Sequence, residues 1–153
     1  MDIANFDGIR TDFLDRVQQA VYCIAATVDP KGRPRTRVLH VVWDVRNAPI
    51  GWVITWPKSP KAKHLANTPF VSLAYFSDPK KPIYAECVAA WVSDAAEQHR
   101  IWDWYKTVPP PMGFDPEPHY GTIANEYFGL LRLTPWRVEL GALGQASQIW
   151  RPQ

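Results

Sequence analysis

Two sets of basic residues stand close together between Arg33 and Pro69, in the stretch RPRTRVLHVVWDVRNAPIGWVITWPKSPKAKHLANTP. Arg33, Arg35 and Arg37 are two apart, so on a β-strand they share a face. The second set is Ser59-Pro60-Lys61, which reads as a helix start. Ser59 suits the N-cap, Pro60 the first helical position, and Ala62-Lys63-His64-Leu65-Ala66 can carry the helix on. Between the two sets the only acid is Asp44. A helix N-terminus offers unpaired N–H groups and the positive end of the helix dipole. With Lys61 beside it and Arg37 facing it, the expected chemistry is a phosphate held by charge-assisted hydrogen bonds. Arg35 points the same way as Arg37. Lys58 and Lys63 are expected in solvent.

The rest of the chain must position these groups. Phe13, Leu14, Val17 and Ala20 recur at helical spacing and predict a helix over Phe6 to Gln19, capped by Thr11 or Asp12. Strands are predicted over Val21–Val28, Arg35–Asp44, Ile50–Thr55, Phe70–Phe76 and Ile83–Val92, with turns at Asp29-Pro30-Lys31-Gly32 and Asn47-Ala48-Pro49. A helix capped by Ser93 or Asp94 follows, running to Lys106. Pro109 to Tyr120 holds five prolines and predicts an extended loop without regular structure. Tyr127–Leu133 and Arg137–Leu140 read as two strands around Thr134-Pro135, and Gln148–Trp150 as a last one. Six or seven short strands joined by turns, with two or three helices, predict a mainly β (α+β) antiparallel barrel in one domain, residues 1–153. Closure would remove the exposed edges of such apolar strands.

Composition narrows the function. The chain has 153 residues with a formal net charge of +2, too small for a general nucleic-acid binder. Its eight tryptophans fit a filled core, an interface or a flat ligand. Cys23 and Cys87 lie in apolar runs outside any zinc spacing, and the four histidines are scattered, so no metal site is expected. No secretory signal or membrane span is legible, which predicts a cytoplasmic protein. No nucleophile elbow, Walker sequence or paired carboxylates support hydrolysis or phosphoryl transfer.

The order of these pieces resembles the pyridoxamine 5'-phosphate oxidase-like, FMN-binding split-barrel family. Gly32, Pro34 and Arg37-Val38-Leu39 lie on one strand and Thr55 ends another. Ser59 and Lys61-Ala62 open a helix that closes at Asn67 and Pro69. The similarity spans Val21 to Trp150. It implies a split barrel in which Arg37, Ser59 and Lys61 bind the flavin phosphate. The backbone of Val38 and Leu39 would lie along the ring, and Thr55 would bond to it. Trp56, next to Thr55, is the expected pocket wall. The resemblance also implies a homodimer with cofactor between subunits, and an FMN-dependent oxidoreductase acting on a small molecule. Related cofactor readings are the deazaflavin coenzyme F-420 and a non-catalytic flavin or haem protein. The chain departs from a true pyridoxamine phosphate oxidase at Pro60, where that enzyme has Arg, at Val42, where it has a substrate-binding Lys, and at Ser147 and Ile149, which stand where it uses an Arg-x-His pair.

Overall fold

A computed structural model describes residues 1–153. Strands β1 (Asp2–Ile3), β2 (Cys23–Val28), β3 (Pro34–Leu39), β4 (Val42–Asp44), β5 (Ile50–Ile54), β6 (Phe70–Tyr75), β7 (Ile83–Trp91), β8 (Leu130–Leu140) and β9 (Gln148–Trp150) form one sheet. Helices α1 (Arg10–Ala20), α2 (Pro60–Asn67), α3 (Ala95–Thr107) and α4 (Glu117–Tyr120) are short, and a 3-10 turn at Phe6–Gly8 precedes α1. The fold is α+β, a split barrel with nine strands where six or seven were expected and four α-helices where two or three were. The two-residue β1, which joins β9 in parallel, and a division of the second predicted strand were not expected.

That division makes the split. Arg35 to Asp44 was expected as one strand, but pairing stops at Leu39 and resumes at Val42. Before the bend the chain pairs with β2, and after it with β5. Pairing then runs β4-β5-β8-β7-β6-β2-β3, so the two ends of the path, β3 and β4, are consecutive in the chain yet not bonded to each other. The ring is closed by covalent chain at His40-Val41 and remains open in hydrogen bonds, which corrects the expectation of full closure. Val41 and Val42 are buried at this corner, so burying apolar side chains on both sides of the bend outweighs ladder continuity.

β8 is the spine. Its first four residues pair with β5 and its last three with β9, while β7 accompanies its length. Thr134-Pro135 does not end it. Pro135 cannot donate a ladder bond, and it sits at a bulge: Cys87 faces Pro135, Glu86 faces Arg137, and Trp136 is the extra residue. One bulged strand therefore replaces the two predicted.

Inside, Phe13 meets Phe6 and Trp43 edge to face at 5.4 and 5.1 Å, and Trp43 Nε1 donates to the buried Tyr75 hydroxyl at 3.0 Å. The predicted first helix is broken at Ile9, which gives α1 no side-chain cap, and Asp12 pairs with Arg16 instead. Val21 ends α1 at φ 64°, which delays β2 to Cys23. Asp94 caps α3 as expected, accepting from Glu97 N at 3.1 Å. The proline-rich segment closes in the one-turn helix α4, which was not expected, and its Met112 is buried. No helix is long and apolar enough to cross a membrane.

Candidate functional site

β3 and the start of α2 meet at the open side of the barrel. On β3, Arg35 and Arg37 lie opposite Thr27 and Ala25 of β2. Arg37 is half-buried, and its Nη1 donates to the carbonyls of Ala25 at 3.2 Å and Arg35 at 3.0 Å. Helix α2 begins as predicted, with Ser59 at the N-cap in extended conformation and Pro60 in the first turn. Its buried face is Lys61, His64 and Leu65, at i, i+3 and i+4.

The Ser59 hydroxyl does not cap the helix. It accepts a hydrogen bond from Lys61 Nζ at 2.8 Å, which leaves the first-turn N–H groups of α2 without a side-chain cap. Lys61 is only 8% exposed, an unusual place for an ammonium group without a carboxylate partner. Burial and then the nearby Arg37 charge lower the Lys61 pKa. Burial and then Arg35 lower that of Arg37. Arg35, Thr36, Arg37, Ser59, Pro60, Lys61 and His64 line one cavity of about 300 Å³, and no acid is among them. Positive charge is gathered there and left uncompensated, so a bound anion would relieve desolvation and repulsion together.

Of the residues singled out from sequence, Arg35, Arg37, Ser59 and Lys61 are thus brought to one cavity. Arg33 leaves the group and pairs with Asp29 at 2.7 Å. Trp56 is exposed, packs against Tyr127 with ring centroids 5.7 Å apart, and lines an adjoining cavity of about 400 Å³ with Lys58, Lys63 and His64. Val38 and Leu39 follow on the free edge of β3, the first side chain outward and the second in the core. Thr55 is half-buried and donates its N–H to Gly129 O at 2.9 Å. Lys58 stands near Glu126 at 3.8 Å, with both side chains exposed. His64 was missed, because the histidines were judged by metal spacing. Its position three residues after Lys61 and one before Leu65 was the available signal.

The sequence model described as Pyridoxamine 5'-phosphate oxidase matches residues 9–112. The chain belongs to that family. No curated protein matches it in sequence. Among solved structures it is similar to a pyridoxamine 5'-phosphate oxidase-related, FMN-binding protein from Nostoc punctiforme, with TM-score 0.68 and 21% identity over 95% of this chain and 88% of that one. It is also similar to a Clostridium acetobutylicum protein related to general stress protein 26, with TM-score 0.71 and 13% identity over 95% of each chain. A third neighbour is a heme storage protein from Vibrio cholerae, with TM-score 0.59 and 20% identity over 83% of this chain and 89% of that one. At these identities the likeness is one of fold.

The four positions at which the sequence was read as departing from a true pyridoxamine phosphate oxidase are Val42, Pro60, Ser147 and Ile149. Val42 is buried in the core. Pro60 starts α2, and Ile149 pairs with Asp2 and Glu139 inside the sheet. Arg151, beyond β9, bonds the exposed Asp2 carboxylate at 2.9 Å.

Proposed function

We propose that the chain is a homodimeric FMN-dependent oxidoreductase acting on a small molecule in the cytoplasm, and that it does not oxidise pyridoxamine phosphate efficiently. The observation that carries this reading is the buried Lys61 beside Arg37, with no acid to balance either, at an uncapped helix start. Arg37, Ser59, Lys61 and the first N–H groups of α2 would hold the phosphate, with Arg35 at the rim. The ring would lie along the free edge of β3 at Val38 and Leu39, toward Thr55, with Trp56 as a wall. The flavin supplies hydride transfer at its N5, so the protein's part is to bind, orient and shape the pocket. Val42, Pro60 and Ile149 support the negative half of the proposal, since none can hold a second phosphate by charge.

The dimer reading rests on the outer face of the sheet. Val38, Ile24, Ala74 and Tyr84 form a row in direct register across β3, β2, β6 and β7. Val38 is 59% and Ile24 38% exposed, and Tyr22 and Phe76 extend the apolar patch. A second copy of the chain covering this face would also bring the free edge of β3 to the interface. Ile24→Asp should give a monomer by sedimentation and weaker FMN binding. A wild-type chain that sediments as a monomer would remove the dimer from the proposal.

The decisive experiment for the cofactor is a titration. The protein as isolated should be yellow, or take up FMN with quenching of flavin fluorescence. Dithionite reduction followed by reoxidation with small acceptors then separates an enzyme from a store. A haem or deazaflavin spectrum, or no FMN binding, would overturn the reading.

A further inference from the structure

We infer that the cavity beside the phosphate site takes the adenylate half of a dinucleotide, so that this chain binds flavin adenine dinucleotide (FAD) more tightly than FMN. The inference rests on the phosphate site proposed above and extends it in one direction. FMN ends at its phosphate. With that group between Arg37 and Lys61, nothing of the ligand fills the adjoining cavity of about 400 Å³, lined by Pro30, Trp56, Lys58, Pro60, Lys63 and His64. That volume lies within the range of small-molecule sites. Helix α2 is the partition. Pro60 and His64, one turn apart, line both cavities. Lys61 and Lys63 are two apart, hence roughly 200° around the helix, and each serves a different cavity. The shared wall is fixed, because His64 is buried with its Nδ1 2.8 Å from Thr27 Oγ1.

β3 gives the direction. Val38 and Leu39, where the flavin ring would lie, end the strand; Arg37 and Arg35 precede them, and Pro30 stands in the turn that leads into it. A ligand laid along β3 with its ring at Leu39 and its phosphate at Arg37 continues, beyond the phosphate, toward the Pro30 cavity. The lining there fits an adenylate group in charge and in shape. Lys58 and Lys63 are exposed, and no acid lines the cavity. Asp29, next to Pro30, is already held by Arg33 Nε at 2.7 Å. Glu126 stands 3.8 Å from Lys58 in an exposed pair, which contributes little and yields to a phosphate. The monoester of FMN places about −1.5 to −2 charges in the first cavity. In FAD each phosphate is a diester with a single charge, so one meets Arg37 and Lys61 and the other Lys58 and Lys63. Trp56 is 42% exposed, lines the second cavity and is braced by Tyr127 with centroids 5.7 Å apart. A purine entering there has an aromatic surface to stack on.

Equilibrium titration of the flavin-free chain with FMN and with FAD, repeated at low and high salt, measures the preference directly. Wild type should bind FAD about five- to fiftyfold more tightly than FMN. Part of that preference is held by exposed lysines, so it should shrink as salt rises. The double variant Lys58→Ala, Lys63→Ala should bind FMN within about twofold of wild type, because both side chains lie outside the first cavity and in solvent. Its preference for FAD should fall by about three- to tenfold and lose its response to salt. Equal affinity of wild type for the two flavins, or tighter binding of FMN, overturns the inference and leaves the phosphate site standing. A preference that the double variant keeps in full also overturns it, since the adenylate group then lies outside this cavity. If neither flavin binds the wild type, the phosphate site itself is at fault and both readings fall.

Discussion

Lys61→Met should weaken FMN binding by about one to two orders of magnitude while making the flavin-free protein more stable. The two effects have one cause. Lys61 is buried next to Arg37, its ammonium bonded only to the Ser59 hydroxyl. A charge-assisted hydrogen bond to phosphate contributes about 1.5–3 kcal/mol, which sets the loss of affinity. Without phosphate the same charge is desolvated and repelled, so a neutral side chain of similar length should stabilise the empty fold by about 0.5–2 kcal/mol. Arg37→Ala should weaken FMN binding to a similar degree, but without the gain in stability, because its guanidinium also ties the carbonyls of Ala25 and Arg35. Fluorescence titration and urea unfolding of the apo proteins read both quantities. A Lys61→Met protein that is less stable and binds FMN as wild type does would make Lys61 a structural residue and remove the proposed site.

Much of this site was legible because its two halves are local in sequence. Alternation on β3 and the Ser-Pro-Lys start of α2 each place their charges by short-range geometry, and the absence of nearby acids is visible in the residues themselves. The link between the halves was not legible. His64 touches Thr27 and Arg37 across 37 and 27 positions, and nothing in a scattered histidine announces such a contact. The role of Ser59 was also misjudged. Its type suits capping, but the nearest strong donor is the buried ammonium, and a charged donor outcompetes a neutral N–H.

The strands were found by their period, and the architecture changed where period says nothing. The bend at His40-Val41 falls inside an unbroken run without glycine or proline, so the residues look like one strand although they pair with two different neighbours. Thr134-Pro135 misled in the opposite direction. A proline inside an apolar run reads as a break, yet a bulge on β8 absorbs it by leaving Trp136 outside the ladder. β1 has two residues and owes its existence to β9, a partner almost the whole chain away. Such pairings depend on tertiary packing, which overrides local preference.

The proline-rich segment gives the largest expected change in stability from a single methyl group. A Cβ on Gly113 would fall 1.9 Å from Val108 O and 2.6 Å from the Val108 carbonyl carbon and Cβ. The clash is with main chain, in a turn closed by Gly113 N donating to Pro109 O at 3.1 Å and stiffened by Pro109, Pro110 and Pro111. Neither side can yield, so Gly113→Ala should undock the turn. Undocking exposes Met112, now 5% exposed, and separates Phe114 from Tyr105, whose rings meet edge to face at 5.3 Å. Losing one buried side chain and one aromatic contact should cost about 2–4 kcal/mol. Tyr105 is anchored independently, its hydroxyl donating to Trp52 O at 2.8 Å, so the barrel should keep its fold and unfold earlier in urea. A Gly113→Ala midpoint equal to wild type would mean that the turn contributes nothing to stability, and that Met112 and Phe114 are held by the barrel alone.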